Sequence, residues 1–519
     1  MHGGPPTQHK TEVEVKLDLA PDSLRALKKI PRLRPQNGSP KRRTEVSVYF
    51  DTDDHKLRKN GLMLRVRRVS GRYIQTIKAN GHLAPLERDE WEAEIAGREP
   101  DLRLAQGTAL EPLMTKKFRR QLKPLFETRV RRTIYPIVDD KNAIAMAVDQ
   151  GTIDTGMRSV PLCEVELELE RGTTAALFDV AREIAAALPA RIAVKSKSER
   201  GYEIIDNKQE LPAKAIRIHL PVAATTRDAF KVIGLTCLKQ IIDNEPALIK
   251  GDPEGIHQMR VGLRRLRAAM SLFAALLHDP QTATIKPELK WLAGELCPAR
   301  EFEVLVQRVA PMKRHRRRWR GMPSLSHEIA EQRDAALKRA QDAVKSARFR
   351  SLTLDLTAWL QTGQWFDPQD DLVRDRGDLP IAVYAAEQLT RRWRKVRKKG
   401  KALTKLDAHS RHKLRIQTKT LRYAAEFFAS LFSNKRVVKR RKRFLGALER
   451  LQDGLGDLND IAVHEKHIAA MNVHHRRSNP SRAFAAGLLT GREDARTEAA
   501  ITAANEAYLD LTKIKWFWR

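Results

Sequence analysis

The spacing of apolar residues changes near residue 210 and divides the chain into two halves. Before that point, apolar and polar residues alternate over short segments such as 11–19, and turn dipeptides such as Asn60-Gly61 separate them. A period of two predicts β-strands joined by hairpins. After a short stretch ending near Pro221, the apolar period becomes that of long helices rich in Ala, Leu, Lys and Arg. The pattern therefore predicts an α+β multidomain protein with a β-rich first half and an all-helical second half.

Within the β-rich half, the polar face of each predicted strand is sorted by the sign of its charge. Segments 11–19 and 163–170 place carboxylates on that face, whereas segments 64–68, 75–79 and 127–132 place Arg or Lys there. A sheet with these faces in water is one interpretation. If they point inward, the sheet closes into a barrel with a polar lumen. Clustered carboxylates without His or Cys then favour Mg²⁺ or Mn²⁺, and the facing cations suit the phosphates that such metals bridge.

The helical half contains an internal repeat, in which segment 256–276 matches segment 411–431. In each copy a histidine and three cations fall on one stripe about 80° wide at 100° per residue, separate from the apolar stripe. Like charges at this spacing repel one another, so their recurrence in both copies indicates a bound anion rather than a solvated face. The candidate anion-binding residues are His257, Arg260, Arg264, Arg267, His412, Arg415, Lys419 and Arg422.

The net charge also indicates an anionic partner. The 519 residues carry a formal charge of +33, of which residues 1–208 contribute +8 and the remainder +25. This excess implies nucleic acid, an anionic membrane or a phosphate polymer. Trp319 and Trp393 lie in basic runs where they could stack on bases, but we find no motif that reads nucleic acid. No segment is apolar enough to span a bilayer, and three scattered cysteines fit a reducing cytosol, so we expect a cytoplasmic protein. No GxxxxGK[ST] or GxGxxG motif occurs, so we expect neither a P-loop nor a Rossmann nucleotide site.

Seven motifs follow one another in the first half. They are ExExK at 12–16, the basic hairpin at 64–67 and 76–78, RxExE at 88–92, the basic strand at 129–131, DxG at 149–151, the ELEL-type motif (EVEL here) at 164–167 and SKxERGY at 196–202. In this order they make the first half resemble the CYTH family of triphosphate tunnel metalloenzymes. The segments HQMRVGLRRLR and HKLRIQTKTLRY make the second half resemble the CHAD domain. We therefore expect a flexible N-terminus at 1–9, a CYTH domain at 10–208, a linker at 209–222, a CHAD domain at 223–505 and a tail at 506–519.

The resemblance is to bacterial inorganic triphosphatases that combine both domains, and it covers nearly the whole chain. It implies an antiparallel eight-stranded β-tunnel that hydrolyses inorganic triphosphate to diphosphate and phosphate with two divalent metals, Mg²⁺ or Mn²⁺. The implied metal ligands are Glu12, Glu14, Asp149, Glu164 and Glu166. The implied phosphate-binding residues are Lys16, Arg65, Arg67, Lys78, Arg129, Arg131 and Lys197. Glu12, Glu14 and Lys16 form the implied catalytic set.

For the duplicated helical bundle, the resemblance implies inorganic polyphosphate as the partner, and polyphosphate granules as a place of association. Nucleic acid is a less favoured partner, and no membrane partner is expected. Three alternatives stay open at the level of sequence. They are an adenylate cyclase of the same fold, a nucleoside or thiamine triphosphatase of the same fold, and a non-catalytic polyanion-binding protein.

Overall fold

The fold is that of a computed structural model, which describes residues 8–27, 29–30, 40–80, 87–208, 210–314, 321–475 and 480–518. The chain forms two compact units. The first is Met1–Leu211 together with Ser346–Gly363, and the second is Pro212–Lys345 together with Gln364–Arg519. The expected flexible segment 1–9 lies mostly outside the described residues. The five segment boundaries inferred from the sequence stay predictions.

An antiparallel sheet forms the frame of the first unit. Its nine strands are β1 (Gln8–Asp18), β2 (Lys41–Asp51), β3 (Leu62–Val69), β4 (Arg72–Asn80), β5 (Glu87–Ile95), β6 (Lys123–Val138), β7 (Ala143–Asp154), β8 (Ser159–Arg171) and β9 (Arg191–Ile192). The strand order is β5-β4-β3-β2-β6-β7-β8-β1-β9, and β1 also pairs with β5. Eight strands therefore close into a barrel, while the short β9 adds to β1. The predicted antiparallel tunnel is confirmed.

Alternation along the strands determines which side chains face the lumen. On β1, Val15 and Leu17 are buried on the outer side of the barrel, whereas Lys16 lines the lumen. The apolar side is covered by α4, which contributes buried Leu177 and Phe178. Burying this apolar surface stabilises the closed barrel and directs the charged face inward. The short helices of this half are α1 (Leu24–Leu27), α2 (Lys56–Lys59), α3 (Lys116–Gln121), α4 (Thr174–Ala187) and α5 (Lys197–Ile205).

The second half of the chain is helical, as predicted. Its helices are α6 (Thr226–Asp243), α7 (Glu245–Ile249), α8 (Pro253–Leu272), α9 (Pro280–Val309), α10 (Met322–Lys345), α11 (Ala347–Thr362), α12 (Asp371–Asp378), α13 (Ile381–Gly400), α14 (Ala408–Phe427), α15 (Lys435–His475), α16 (Pro480–Asp494) and α17 (Thr497–Lys513). The two copies of the repeat form α8 and α14. Met259, Leu263 and Leu266 of α8 are buried, as their apolar stripe predicts. None of the helices in the described ranges combines the length and apolar character that crossing a bilayer requires.

Helix α11 belongs to the first unit although its sequence lies within the helical half. It packs against α4 and β9. At the α4 contact, Arg182 Nε donates to Asp355 Oδ1 over 2.9 Å. The apolar period of α11 predicts a helix, but it does not indicate which unit the helix covers.

Candidate functional site

Charged side chains from seven strands and from α2 and α5 line a cavity of about 250 Å³ inside the barrel. The sign-sorted faces of β1, β3, β4 and β8 therefore point inward. The cations that line this cavity are Lys16, Arg43, Arg58, Arg65, Arg67, Lys78, Arg132 and Lys197. The carboxylates that line it are Glu14, Glu45, Glu90, Glu92, Glu166, Glu168 and Glu199.

Three carboxylates on the adjacent strands β7 and β8 form a cluster at the wall of this lumen. Asp149 lies opposite Glu164 in the strand register, and Glu166 follows two residues later on the same face. One oxygen from each of the three lies within 4.8 Å of the others. Asp149 and Glu164 are fully buried, and burial raises the pKa of Glu164 despite the nearby Lys197 ammonium. All three ligands are carboxylate oxygens, and Glu164 Oε2 accepts no hydrogen bond from the described residues. Such a set fits a hard divalent cation such as Mg²⁺ or Mn²⁺.

Four cations surround the carboxylate cluster, of which Arg200 lies 3.4 Å from Glu164 Oε2. Lys16 Nζ lies 3.0 Å from Glu14 Oε1 and 2.8 Å from Glu166 Oε1. Burial acts to lower the pKa of Lys16, but the Glu14 and Glu166 carboxylates outweigh it and raise that pKa, so the ammonium stays charged. Arg132 Nε donates to Asp149 Oδ1 over 2.7 Å and Arg132 Nη2 contacts Glu166. Lys197 contacts Asp149, Glu164 and Glu166. Lys16, Lys197 and Arg132 hold the pKa of Glu166 well below its usual range, although burial opposes them.

A second charged group lies on β3, β4 and β5. Arg67 Nη2 donates to Glu92 Oε1 over 3.0 Å, and Lys78 Nζ lies 3.1 Å from Glu90 Oε1. Arg65 Nη2 lies 3.7 Å from the same Glu90 oxygen. These contacts place the predicted basic hairpin in the lumen together with the carboxylates of the RxExE strand.

The structure brings most of the predicted barrel residues together, but it separates two of them from the lumen. Arg129 and Arg131 are exposed on the outer face of β6, where they bond to Glu127 and Gln150. Thr128 and Val130 line the lumen instead, so alternation brings Arg132 inside. The expectation that Arg129 and Arg131 face the lumen is therefore wrong, and Arg132 faces it instead. The side chain of Glu12 lies outside the described residues.

Sequence reasoning also missed Glu45 and gave no role to Glu90 and Glu92. Glu45 is buried on β2, 3.5 Å from Arg67 Nη1 and within 4.0 Å of Arg132 Nε. Glu45 lies on the same face of β2 as Ser47 and Tyr49, and this alternation could have predicted that it faces the lumen. The pattern is weak because Ser47 and Tyr49 are uncharged and do not form a run of like charges with Glu45.

In the second unit, cations from both copies of the repeat lie close together. Burial, the neighbouring Arg415, and Arg264 and Arg260 of α8 lower the pKa of Lys419 to about 6, against the effect of Asp460 on α15. Several guanidinium nitrogens in this group are buried without a hydrogen-bond partner in the described part of the chain. They are Arg260 Nη1, Arg264 Nε, Arg415 Nε and Arg422 Nε. We call Arg260, Arg264, Arg415, Lys419 and Arg422 the cationic cluster.

The two predicted histidines lie at the ends of α8 and α14. His412 Nδ1 lies 2.7 Å from Asn459 Oδ1. Burial and the nearby Arg300 lower the pKa of His257. Arg267 is exposed, and none of the charge interactions described above involves it. An acidic residue follows each copy of the repeat at an equivalent position, Glu301 after the first copy and Asp460 after the second. Glu301 pairs with His467 over 3.1 Å, whereas Asp460 acts on the cationic cluster, so the two residues have different surroundings.

Of the two tryptophans considered for base stacking, the structure describes Trp393. Trp393 is 2% exposed and packs against Phe444 at 5.8 Å between ring centroids, so it is not accessible to a base. Trp319 lies outside the described residues. The suggestion from the sequence that Trp393 could stack on nucleic-acid bases is therefore wrong.

Both architectures have counterparts among known proteins. Residues 10–202 match the CYTH domain and residues 233–469 match the CHAD domain. An inorganic triphosphatase from Haemophilus influenzae is 29% identical over 178 residues, which are 32% of this chain and 47% of that protein. The chain thus spans about half the length of this curated relative. The crystal structure of the CHAD domain from the plant Ricinus communis is 30% identical with a TM-score of 0.50, covering 57% of this chain and 96% of that structure.

A third similar structure, from Hippeastrum, is named for adenylyl cyclase and described as having a dominant triphosphatase activity. It is 18% identical with a TM-score of 0.29, covering 37% of this chain and 95% of that structure, so nothing about activity follows from it. A closed, charge-lined antiparallel tunnel and a duplicated helical unit together define the class of two-domain protein to which these matches point. The chain belongs to the CHAD family, and its residues 10–202 match the CYTH domain. At the level of the family, this supports hydrolysis of a triphosphate.

Proposed function

We propose that the barrel is a divalent-metal-dependent inorganic triphosphatase. The observation that carries this proposal is the contact of the carboxylate cluster Asp149, Glu164 and Glu166 with the cations Lys16, Arg132 and Lys197 at the wall of the lumen, which Glu166 itself lines. These carboxylates, with Glu14, would hold the metal. A divalent ion supplies charge that offsets phosphate oxygens and polarises water for attack on phosphorus.

The chain's own cations bind and orient the triphosphate. Arg65, Arg67 and Lys78 are fixed by Glu90 and Glu92, so their donors point into the lumen before substrate arrives. Guanidinium forks and ammonium groups at fixed positions bind phosphate oxygens and hold the chain of phosphates in one orientation. This preorganisation lowers the barrier by positioning, which dominates catalysis of phosphoryl transfer.

The same geometry argues against Lys16 or a Lys/Tyr pair as a general base. The pKa of Lys16 is raised, so its ammonium keeps its proton and suits a phosphate contact. Burial raises the pKa of Tyr202, whose hydroxyl donates to Asp51 Oδ2 over 2.7 Å. Tyr49 stacks on Phe126 at 4.6 Å and is 3% exposed. The aromatic rings that line the described lumen are thus packed in place, which favours inorganic triphosphate over a nucleotide that needs a base pocket.

A substrate panel tests the barrel proposal. The full chain is incubated with triphosphate, ATP, thiamine triphosphate or long polyphosphate, with Mg²⁺ or Mn²⁺, and assayed for phosphate and cyclic AMP. We expect triphosphate to be hydrolysed fastest, and Glu166→Gln to lower turnover about tenfold or more because a charged ligand is lost. Glu170→Gln, at the exposed end of β8, is the matched control. Cyclic AMP as the main product, or near wild-type turnover of Glu166→Gln, would contradict the proposal.

We further propose that the cationic cluster binds inorganic polyphosphate. Its support is that Arg260 Nη1, Arg264 Nε and Arg415 Nε are buried without a hydrogen bond to any residue that the structure describes. Leaving such groups without a hydrogen bond is costly unless a ligand supplies acceptors. Cations from two repeats suit an extended, repetitive anion. The Arg260→Glu and Arg415→Glu double variant should weaken polyphosphate binding about tenfold or more and leave hydrolysis unchanged. Arg267→Glu, exposed on the same helix, is the control. Displacement of polyphosphate by duplex DNA at equal phosphate concentration would show a generic cation surface instead.

A further inference from the structure

Lys197 is the first residue of α5, and the start of this helix fixes the position of its side chain. Ser196 caps this helix, because its Oγ accepts from Glu199 N over 3.1 Å while the Glu199 carboxylate accepts from Ser196 N over 2.8 Å. The capping box fixes the start of the helix and so fixes the point from which the Lys197 side chain extends. That side chain is 9% exposed, so the protein holds its ammonium away from water.

The ammonium of Lys197 contacts the whole carboxylate cluster. Lys197 Nζ lies 2.7 Å from Asp149 Oδ2 and 2.9 Å from Glu166 Oε1, and it also donates to Glu164 Oε1. An ammonium has three donors, and three carboxylates take them. Other cations contact only part of the cluster: Lys16 reaches Glu166, Arg132 reaches Asp149 and Glu166, and Arg200 reaches Glu164.

The position of this ammonium coincides with that of a metal bound by the same oxygens. Mg²⁺ requires carboxylate oxygens at about 2.0–2.1 Å, and an ammonium that contacts those same oxygens leaves no space for it. The charge of Lys197 also weakens metal binding, because the ammonium already neutralises one of the carboxylate charges that would attract the ion. A divalent ion can therefore enter only if Lys197 leaves.

We propose that Lys197 is an internal counter-ion, which occupies the divalent-metal position until metal and triphosphate arrive together. The inference rests on the proposed function, since it takes the carboxylate cluster as the metal site. When the metal enters, Lys197 turns from the carboxylates to a phosphate oxygen of the substrate. Triphosphate gives the displaced ammonium a new partner, so metal and triphosphate bind cooperatively, and metal alone binds weakly.

Calorimetric titration of the full-length, metal-free protein with Mn²⁺, without triphosphate, tests the inference. Lys197→Met keeps the length of the side chain and removes its charge, so it should bind Mn²⁺ about tenfold or more tightly than wild type. The matched control is Lys195→Met, which removes a cation two residues away that pairs with Glu203 over 2.8 Å. Lys197→Arg, which keeps the charge, should stay near wild-type affinity. Thermal melting verifies folding, and Lys197→Gln replaces Lys197→Met if the latter is unfolded.

A second titration contains a non-hydrolysable, imido-bridged triphosphate analogue. The analogue should strengthen Mn²⁺ binding more in wild type than in Lys197→Met, because only wild type has an ammonium to relocate. Mn²⁺ affinity of Lys197→Met equal to or below that of wild type, or an equal gain in Lys195→Met, overturns the inference. In that event metal-dependent hydrolysis by wild type would still uphold the proposed function. Metal-independent hydrolysis by wild type would contradict the proposed function instead.

Discussion

Polyphosphate binding by the cationic cluster should weaken as the pH rises, because Lys419 loses its proton in the free protein. The pKa of Lys419 is about 6 in the free protein because the residue is buried among Arg415, Arg264 and Arg260, with Asp460 as the opposing acid. A bound polyanion offsets that repulsion and raises this pKa towards the ordinary value of 10.5. Between the two values the complex holds one more proton than the free protein, so affinity is highest below about pH 6 and falls as the pH rises through that value.

The size of the effect follows from the pKa of the free lysine. About half of Lys419 is charged before binding at pH 6 and only about one in a hundred at pH 8, so full coupling would cost about fiftyfold in affinity between these pH values. Water and salt screen a half-buried group, so we expect about fivefold or more. Lys419→Arg stays charged throughout this range and should bind with a nearly flat pH dependence. The position is expected to accept arginine because Arg264 stands at the matching place in the first copy of the repeat.

Fluorescence anisotropy of end-labelled long polyphosphate, at constant ionic strength and several pH values, measures this effect. Calorimetry in two buffers of different ionisation enthalpy should show proton uptake by wild type at about pH 8, and less by Lys419→Arg. Lys413→Arg, exposed on the same helix, is the matched control. A flat wild-type curve would refute the reasoning. So would a wild-type slope retained in Lys419→Arg, since the proton would then be taken up elsewhere, for example by His257.

Two further predictions concern the first unit. Arg132→Gln should lower kcat/KM for triphosphate about tenfold or more, whereas Arg131→Gln, whose side chain is exposed outside the barrel, should stay within about twofold in the same assay. An isolated fragment 1–208 lacks α11 and therefore exposes the surface of α4 and β9 that this helix covers. By calorimetry it should unfold at a lower temperature than the barrel in the full chain, and equal stability would contradict this role of α11.

The strand faces of the barrel could be predicted because charge alternates with apolar residues on β1, β3 and β8. The face of β6 could not, because Arg129, Arg131 and Arg132 place cations on both sides of the strand. Only the pairing of β6 with β2 and β7 determines that Arg132 faces Asp149. The register of a long strand depends on its neighbours, and the strand's own pattern leaves two solutions here.

The cationic cluster shows a similar limit. The apolar period predicted that the cations of each repeat lie on one face of its helix, and the burial of Met259 and Leu414 on the opposite faces is consistent with this. The period did not predict that the cations of α8 and α14 lie close together, nor that this lowers the pKa of Lys419 to about 6. Those properties arise from helix packing, which amphipathicity alone does not specify.

The two sites differ in how their buried cations are compensated, and this difference separates their proposed roles. In the barrel, Lys16, Arg132 and Lys197 each contact carboxylates, so the lumen is close to neutral and has little net attraction for a triphosphate. In the proposed function, a divalent ion restores that attraction and so couples substrate binding to metal binding. In the cationic cluster, Arg422 lies 3.6 Å from Glu426 Oε1 and 3.8 Å from Glu449 Oε1. Lys419 lies among Arg415, Arg264 and Arg260, and Asp460 is the acid that opposes them. An anion is attracted there without any metal, as a docking role requires and a reaction centre does not.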